Sequence, residues 1–173
     1  MESPRPSATP ALASVTEHLD ARGVPYEVIE HAETFSAVAE AVAVSVDPAA
    51  AGKTLVLHDH GGSFLVVVPA DRHLDLGRVH DLTGATRHLR LATEAEMARD
   101  FPLYEVGAAP PIGPSLPAIE IVDIRLLSLQ RGLFAAGDHR HALLIPVRDL
   151  LRVAEPRVAD VCEVRDERKD SFP

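Results

Sequence analysis

Lys53 is the first candidate for chemistry, because only two of the seventeen basic residues are lysines. It follows Gly52 and begins an apolar run, KTLVLHD, which predicts a strand from Lys53 to Asp59. An ammonium group at the end of a strand lies where sheet proteins bind ligands, and it can hold a phosphate or a carbonyl oxygen. The alternative is an edge lysine that keeps its head in water and prevents pairing between sheets. The spacing leaves both open.

A proline-rich segment is the second candidate. Residues 101–117 contain five prolines and two glycines, which excludes a helix or a central strand and predicts an ordered loop. Within it, Gly107, Ala108 and Ala109 combine small side chains with main-chain N–H groups that we expect to be free. Free N–H donors on a rigid wall can polarise a carbonyl oxygen. The alternative, a connector without a chemical role, is slightly favoured by the residues alone.

Two groups of histidines require a test for metal binding. His58 and His60 form one group, and His139 and His141 form the other. On strands, the members of each pair would share a face, so four imidazoles could meet around a metal ion. Both groups fall at predicted hairpin turns, where exposed polar residues are common, and we therefore expect no metal site. The sequence also lacks the phosphate-loop, dinucleotide, zinc-protease and serine-hydrolase motifs.

The elements that must position these residues alternate between helices and strands. Periodicity, caps and turn residues predict helices at 11–22, 36–44, 74–83, 93–100 and 147–153, and strands at 26–29, 53–59, 64–69, 88–91, 119–124, 133–136 and 141–146. Thr34 or Ser36 can cap the second helix. Two hairpins without a regular βαβ winding favour an α+β fold, with a single mixed, mostly antiparallel and partly barrel-like sheet flanked by helices.

Length and composition indicate one folded domain. Of the 173 residues, 46% are hydrophobic and 25% are charged. We expect the domain to occupy residues 11–164, with a disordered leader at 1–10 and a disordered tail at 165–173. No segment is typical of a membrane span or a secretory signal, and the single cysteine excludes an internal disulfide, so we expect a cytoplasmic protein without a membrane partner. The formal net charge of −9 argues against strong sequence-independent binding to nucleic acid, and we expect no DNA partner.

Several segments, in this order, resemble the YbaK/EbsC family, the free-standing relatives of the editing domain inserted in bacterial prolyl-tRNA synthetase. They are HAETFSAVAEAV, GKTLVL, FLVVVPADRHLDLGRV, RLATEAEM, VGAAPPIG and LFAAGDHRHALLIPVRDLLRV. The resemblance extends from about Leu12 to Cys162. A lysine, a GxxxP loop at Gly107 to Pro111 and an Ala–Gly hairpin, in that order, are the features that carry it.

The resemblance implies a YbaK-like fold and an aminoacyl-tRNA deacylase. Such an enzyme hydrolyses the ester of mischarged tRNA, often tRNA for proline that carries a small wrong amino acid, without a metal, a cofactor or a covalent intermediate. Aminoacyl-tRNA is then the main partner, and an aminoacyl-tRNA synthetase is a further one. By this resemblance Lys53 and Gly107 are the catalytic residues, and the substrate-binding residues are His31, Thr34, Ala108, Pro111, Gly137 and His139.

The turn GDHRHA differs from the Gly-rich or Lys/Arg-rich turn of many relatives. It leaves open which polar group of residues 137–141 faces the substrate. It also leaves a second hypothesis, a non-catalytic protein of the same fold that binds tRNA ends or nucleotides. Two basic strips, at residues 72–90 and 125–140, have more arginines than aspartates and could contact RNA in spite of the net charge.

Overall fold

The strands form two sheets in the computed structural model, which describes residues 8–165. The larger sheet has the strand order β4-β2-β3-β5-β8 and the smaller one has the order β1-β7-β6. In chain order the elements are α1 (Pro10–Asp20), β1 (Glu27–Glu30), α2 (Ala37–Ala43), β2 (Gly52–Asp59), β3 (Gly62–Pro69), α3 (Leu76–Thr83), β4 (Arg90–Leu91), α4 (Glu94–Asp100), β5 (Ile119–Asp123), β6 (Arg131–Ala135), β7 (His141–Pro146), α5 (Val147–Ala154) and β8 (Arg157–Ala159).

The predicted α+β class is confirmed, but the strands divide between two sheets instead of forming one, and the sheets do not close into a barrel. One parallel bridge, between Ala51 and Leu133, joins them. Side chains from both sheets bury against each other in one core, among them Val67 of β3 and Phe134 of β6, which is why the strands lie in two packed layers. The short strand β8, which pairs with β5, was not predicted.

The predicted hairpin at the centre of the chain is confirmed. β2 and β3 pair antiparallel from Gly52 opposite Pro69 to Asp59 opposite Gly62. Leu65, Val66 and their two following valines are fully buried in β3, the middle strand of the larger sheet. Their continuous apolar pattern reflects burial on both faces of the sheet.

Glycine at position 52 fixes where β2 meets the smaller sheet. A Cβ atom there would run into the aromatic ring of Phe134. Phe134 is 1% exposed and cannot move aside without disturbing the core. Gly52 therefore lets β2 begin close to β6, and this contact places the next residue, Lys53, at the junction of the two sheets.

Local capping signals define the ends of several helices as predicted. Ser36 caps α2, with its side chain accepting the Ala39 N–H, and Thr93 and Glu96 form a capping box that begins α4. At the first helix, Thr9 is the N-cap, so α1 begins at Pro10, inside the predicted leader. The rest of the predicted leader, at 1–7, and the tail from 166 lie outside the described residues. No helix among the residues described is long and apolar enough to cross a membrane.

Candidate active site

Lys53 and the Gly107 loop, two segments distant in sequence, line one cavity of about 220 Å³. The lining comes from the start of α2, the start of β2, the proline-rich loop and the β6–β7 hairpin. Of the residues predicted for the site, Lys53, Gly107, Ala108, Thr34 and His139 line this cavity. The fold thus brings the lysine and the loop together, as the predicted chemistry requires.

One wall of the cavity is an unpaired strand edge. Toward β3 every residue of β2 has a partner. On the other edge, within residues 8–165, the chain is bridged only at Ala51, just before β2, and again from Val56, whose carbonyl accepts the Ala92 N–H at 2.8 Å. Alternate residues of a strand direct their main-chain groups to the same edge, so Thr54 directs its N–H and C=O to the same edge as Val56. Thr54 also lines the cavity, which therefore has main-chain hydrogen-bonding groups along this wall.

Lys53 is half-buried and makes no hydrogen bond or ion pair with any residue in the range 8–165. Burial lowers the pKa of its ammonium group, and the nearby Cys162 and Asp71 act in the opposite direction. Cys162 and Asp71 do not line the cavity, whereas Lys53 does. Lys53 therefore lies between the cavity and the face of the larger sheet that is turned away from it. Among these described residues its charge has no fixed partner and is available to a ligand.

The Gly107 loop is a tight turn. The Ala108 N–H donates to the Glu105 carbonyl at 3.0 Å, and Gly107 has a φ of 86°, which a type II turn requires at its third residue. The expectation of a free Ala108 N–H is therefore wrong, because the turn itself uses this donor. The N–H groups of Gly107 and Ala109 have no partner within residues 8–165 and are the donors that remain.

Gly137 and Pro111 do not line the cavity. Gly137 instead holds the loop: its N–H donates to the Ala108 carbonyl and its carbonyl accepts the Glu105 N–H, both at 2.9 Å. A Cβ atom at Gly137 would lie 3.0 Å from Tyr104, so this close approach needs glycine. Pro111 is buried within the same loop, which Tyr104 spans by donating its hydroxyl to the Pro114 carbonyl at 2.6 Å.

An aromatic residue that is not among the predicted site residues lies beside two residues of the cavity lining, Gly107 and His139. Phe35 is 71% exposed, and its ring centroid lies 4.9 Å from that of His139. Its carbonyl oxygen is also the nearest atom to the position of a Cβ on Gly107, which places the residue beside the loop. The signal available in the sequence was a phenylalanine directly before a serine predicted to cap a helix.

Glu40 also lines the cavity, although the sequence analysis did not select it. It is 5% exposed, and its Oε2 lies 3.1 Å from Nε2 of His31. Burial raises the pKa of Glu40 to about 7, more than the neighbouring His31 lowers it, and the charge of Asp138 raises it further. His31, predicted to bind substrate, does not line the cavity and contacts Glu40 instead. The signal was a lone carboxylate in the apolar helix AVAEAVA.

The other histidines do not join this site. His58 and His60 lie at the far end of the β2–β3 hairpin, where the ring centroids of His60 and His88 are 4.3 Å apart. His141 is buried with its Nδ1 2.9 Å from Asp138. No group of three potential metal-ligating side chains occurs among the residues that the structure describes.

Most arginines of the two basic strips are neutralised. In the strip at 125–140, all three arginines lie within 4.0 Å of a carboxylate oxygen. In the strip at 72–90, Arg72 and Arg87 alone form no ion pair with another described residue, since Arg78 and Arg90 pair with carboxylates. The surface available for phosphate contacts is therefore smaller than the sequence suggested.

The model of the aminoacyl-tRNA editing domain family matches residues 30–153. This chain belongs to that family. The matched segment contains every predicted site residue, from His31 to His139. The predicted family, fold and class of enzyme are thereby confirmed: the editing domain is an aminoacyl-tRNA deacylase, with aminoacyl-tRNA as its substrate.

Solved structures agree with the assignment to the editing domain family. One described as a candidate trans-editing enzyme for prolyl tRNA synthetase is 28% identical, with a TM-score of 0.80, and the match covers 91% of this chain and 100% of that one. A scaffold protein from a computational epitope-grafting study is 26% identical, with the same TM-score and coverage. A hypothetical protein is 29% identical with a TM-score of 0.76, covering 86% of this chain and 98% of that one. No curated protein matches the sequence.

Proposed function

We propose that this editing domain acts in trans on mischarged tRNA, and that its substrate is tRNA for proline esterified with a small wrong amino acid. The observation that carries the proposal is that Lys53 and the Gly107 loop line one small cavity. The similarity to a candidate trans-editing enzyme for prolyl tRNA synthetase supports the choice of tRNA.

The size of the cavity supports a small amino acid. Its apolar wall consists largely of four alanines, at positions 37, 108, 109 and 135, and its volume is about 220 Å³. One methylene group changes discrimination by only about 1 to 3 kcal/mol, so a second site that excludes the correct amino acid by size is an effective filter. We propose that this cavity is that second site.

The reaction we propose is direct attack of water on the aminoacyl ester. The water oxygen bonds to the carbonyl carbon and the carbonyl oxygen gains negative charge. The ester C–O bond then breaks as the ribose oxygen takes up the proton that the attacking water loses. The free N–H groups of Gly107 and Ala109 are the donors for the developing oxyanion, and the Lys53 ammonium adds positive charge nearby. The remaining hydroxyl of the terminal ribose can position the water, so no side-chain nucleophile is needed.

We propose further that hydrolysis needs no metal ion. Only Glu40 and His139, among the residues that line the cavity, have side chains of the kind that bind zinc. A catalytic zinc site uses three such protein ligands. Full activity in the presence of a chelator is the expected result.

We propose that Phe35 stacks on the terminal adenine of the tRNA, because its ring is exposed and lies beside His139 of the cavity lining. We expect Phe35→Ala to raise KM for mischarged tRNA by about 5- to 100-fold while kcat changes little, since stacking on an aromatic residue is worth about 1–3 kcal/mol per base. Steady-state kinetics measures both parameters. Val42→Ala, which changes an exposed residue of the neighbouring helix α2 that does not line the cavity, is the matched control. An unchanged KM in the Phe35 variant would contradict this placement.

The scarcity of unpaired arginines supports a second partner. We propose that a synthetase contributes part of the affinity for tRNA, because few cations among residues 8–165 are free to neutralise phosphates. Addition of prolyl-tRNA synthetase should then lower KM, and an unchanged KM would contradict this part of the proposal.

A panel of mischarged tRNAs tests the proposed function. We expect release of alanine or another small amino acid from tRNA for proline, and no release of proline. The competing hypothesis of a non-catalytic binder predicts the reverse, because a protein that only holds the tRNA end would protect the ester from spontaneous hydrolysis.

A further inference from the structure

Glu40 is the one acidic side chain in the cavity lining formed by residues 34–139. Its Oε2 contacts His31, and its Oε1 makes no hydrogen bond within residues 8–165 and is not fully enclosed. We propose that Glu40, positioned by His31, binds the α-ammonium group of the aminoacyl ester. This inference rests on the proposed function.

His31 holds the carboxyl group in one orientation. Its Nδ1 lies 2.7 Å from the Ala32 carbonyl oxygen, which can only accept a hydrogen bond, so Nδ1 carries a proton. The 3.1 Å contact between Nε2 and Glu40 Oε2 then contains one further proton, either on the imidazole or on the carboxyl group. The two side chains together are neutral below about pH 7, while they share this proton, and carry one negative charge once the proton is lost. The second carboxyl oxygen remains free to accept from a ligand.

The opposite charges of Lys53 and Glu40 in the cavity lining would orient the substrate. Lys53 and the Gly107 loop also line the cavity, and their ammonium and N–H groups suit the carbonyl oxygen of the ester. Glu40 lies on α2, where its negative charge suits the ammonium group. The remaining titratable neighbours are His139 in the lining, and His31 and Asp138 beside Glu40. An ammonium group entering a small, largely apolar cavity needs such an acceptor, because its removal from water is costly.

The binding of the substrate ammonium group by Glu40 should depend on pH, because the carboxyl group and the ammonium group both titrate. Burial raises the pKa of Glu40 to about 7, so below about pH 7 the carboxyl group gains a proton and its attraction for a cation is lost. The substrate ammonium loses its proton near pH 8, the value typical of an α-amino group. The preference for a substrate with an amine should therefore increase with pH up to about 7 and decrease above about 8.

The test compares alanyl-tRNA with lactyl-tRNA, in which a hydroxyl group replaces the amine. For Glu40→Gln we expect kcat/KM on alanyl-tRNA to fall about 10- to 100-fold, the range for a hydrogen bond between charged groups, and kcat/KM on lactyl-tRNA to stay within about 2-fold. In this variant the change of kcat/KM for alanyl-tRNA near pH 7 should disappear. Glu33→Gln removes the same charge from an exposed residue near Arg140, outside the cavity. It should leave kcat/KM unchanged for both substrates.

The outcomes separate the inference from the proposed function. Equal losses on both substrates would overturn the ammonium site and indicate that Glu40 accepts a proton from water or supports the fold. No loss on either substrate would overturn it as well. If Glu40→Gln does not fold, the wild-type protein provides the test, because a ratio of alanyl- to lactyl-tRNA hydrolysis that does not change between pH 5.5 and 7.5 overturns the proposal. A wild-type protein that hydrolyses neither ester refutes the proposed function itself.

Discussion

Replacement of Lys53 by methionine is expected to lower kcat for mischarged tRNA by about 100- to 1,000-fold, the effect typical of losing one group that stabilises transition-state charge. Methionine keeps an unbranched apolar stem, so the variant removes the charge and little of the packing. The expected loss arises because Lys53 is the one lysine or arginine in the cavity lining contributed by residues 34–139. Single-turnover deacylation of alanyl-tRNA measures the effect.

The same variant should fold at least as stably as the wild type. Burial lowers the pKa of Lys53, which means that the folded state disfavours the ammonium group at every pH below that lowered value. Removal of the charge removes this cost, so Tm should stay equal or rise. A loss of activity without a loss of stability is the signature of a functional residue.

Arg72→Gln is the matched control for Lys53, because Arg72 is a cation without an ion pair to another described residue and does not line the cavity. It should weaken tRNA binding slightly and leave kcat unchanged. Full activity of the Lys53 variant would show that the assignment of the lysine to the catalytic machinery is wrong.

Gly107→Ala is expected to lower kcat by about 100-fold, through displacement of the donors in the loop. A Cβ atom at this position would meet only ordinary contacts, at 3.7 Å from the Phe35 carbonyl and 3.9 Å from His139. The cost comes instead from the φ of 86°, which residues other than glycine adopt at about 1 to 3 kcal/mol. The turn can relieve this strain by rotating the N–H groups of Gly107 and Ala109 away from the oxyanion position.

A second glycine provides the control for that strain. Gly61 in the β2–β3 turn has a φ of 73° and open space around the position of a Cβ atom. Gly61→Ala should therefore lose a similar stability in thermal unfolding and keep its deacylation rate. If the two alanine variants have equal activity, the N–H groups of the Gly107 loop do not stabilise the transition state.

Local elements were predictable because their signals lie within a few residues of one another. The capping box of Thr93 and Glu96, the cap at Ser36 and the left-handed Gly84 that ends α3 each act through neighbouring main-chain groups. The apolar pattern of β2 and β3 identified the central hairpin for the same reason.

The state of each N–H group in the Gly107 loop was not predictable in this way. A proline-rich composition indicates a rigid loop, but it does not show which amides the turn itself uses. The Ala108 N–H closes the turn on Glu105, whereas the neighbouring amides stay free. That outcome depends on the φ of Gly107 and on the contact with Gly137, which is thirty residues away along the chain.

The sequence by itself determined the order of the elements up to α5, without β8, and, through the resemblance to a family, the lysine and the loop. Only the tertiary structure decided that the strands divide into two packed sheets, that Glu40 lines the cavity and that Phe35 lies beside His139 of the lining. The physical reason is that burial and charge environment arise from contacts between segments distant in the chain. A glutamate in an apolar helix has an ordinary carboxyl group until the fold removes water from it and places His31 and Asp138 beside it.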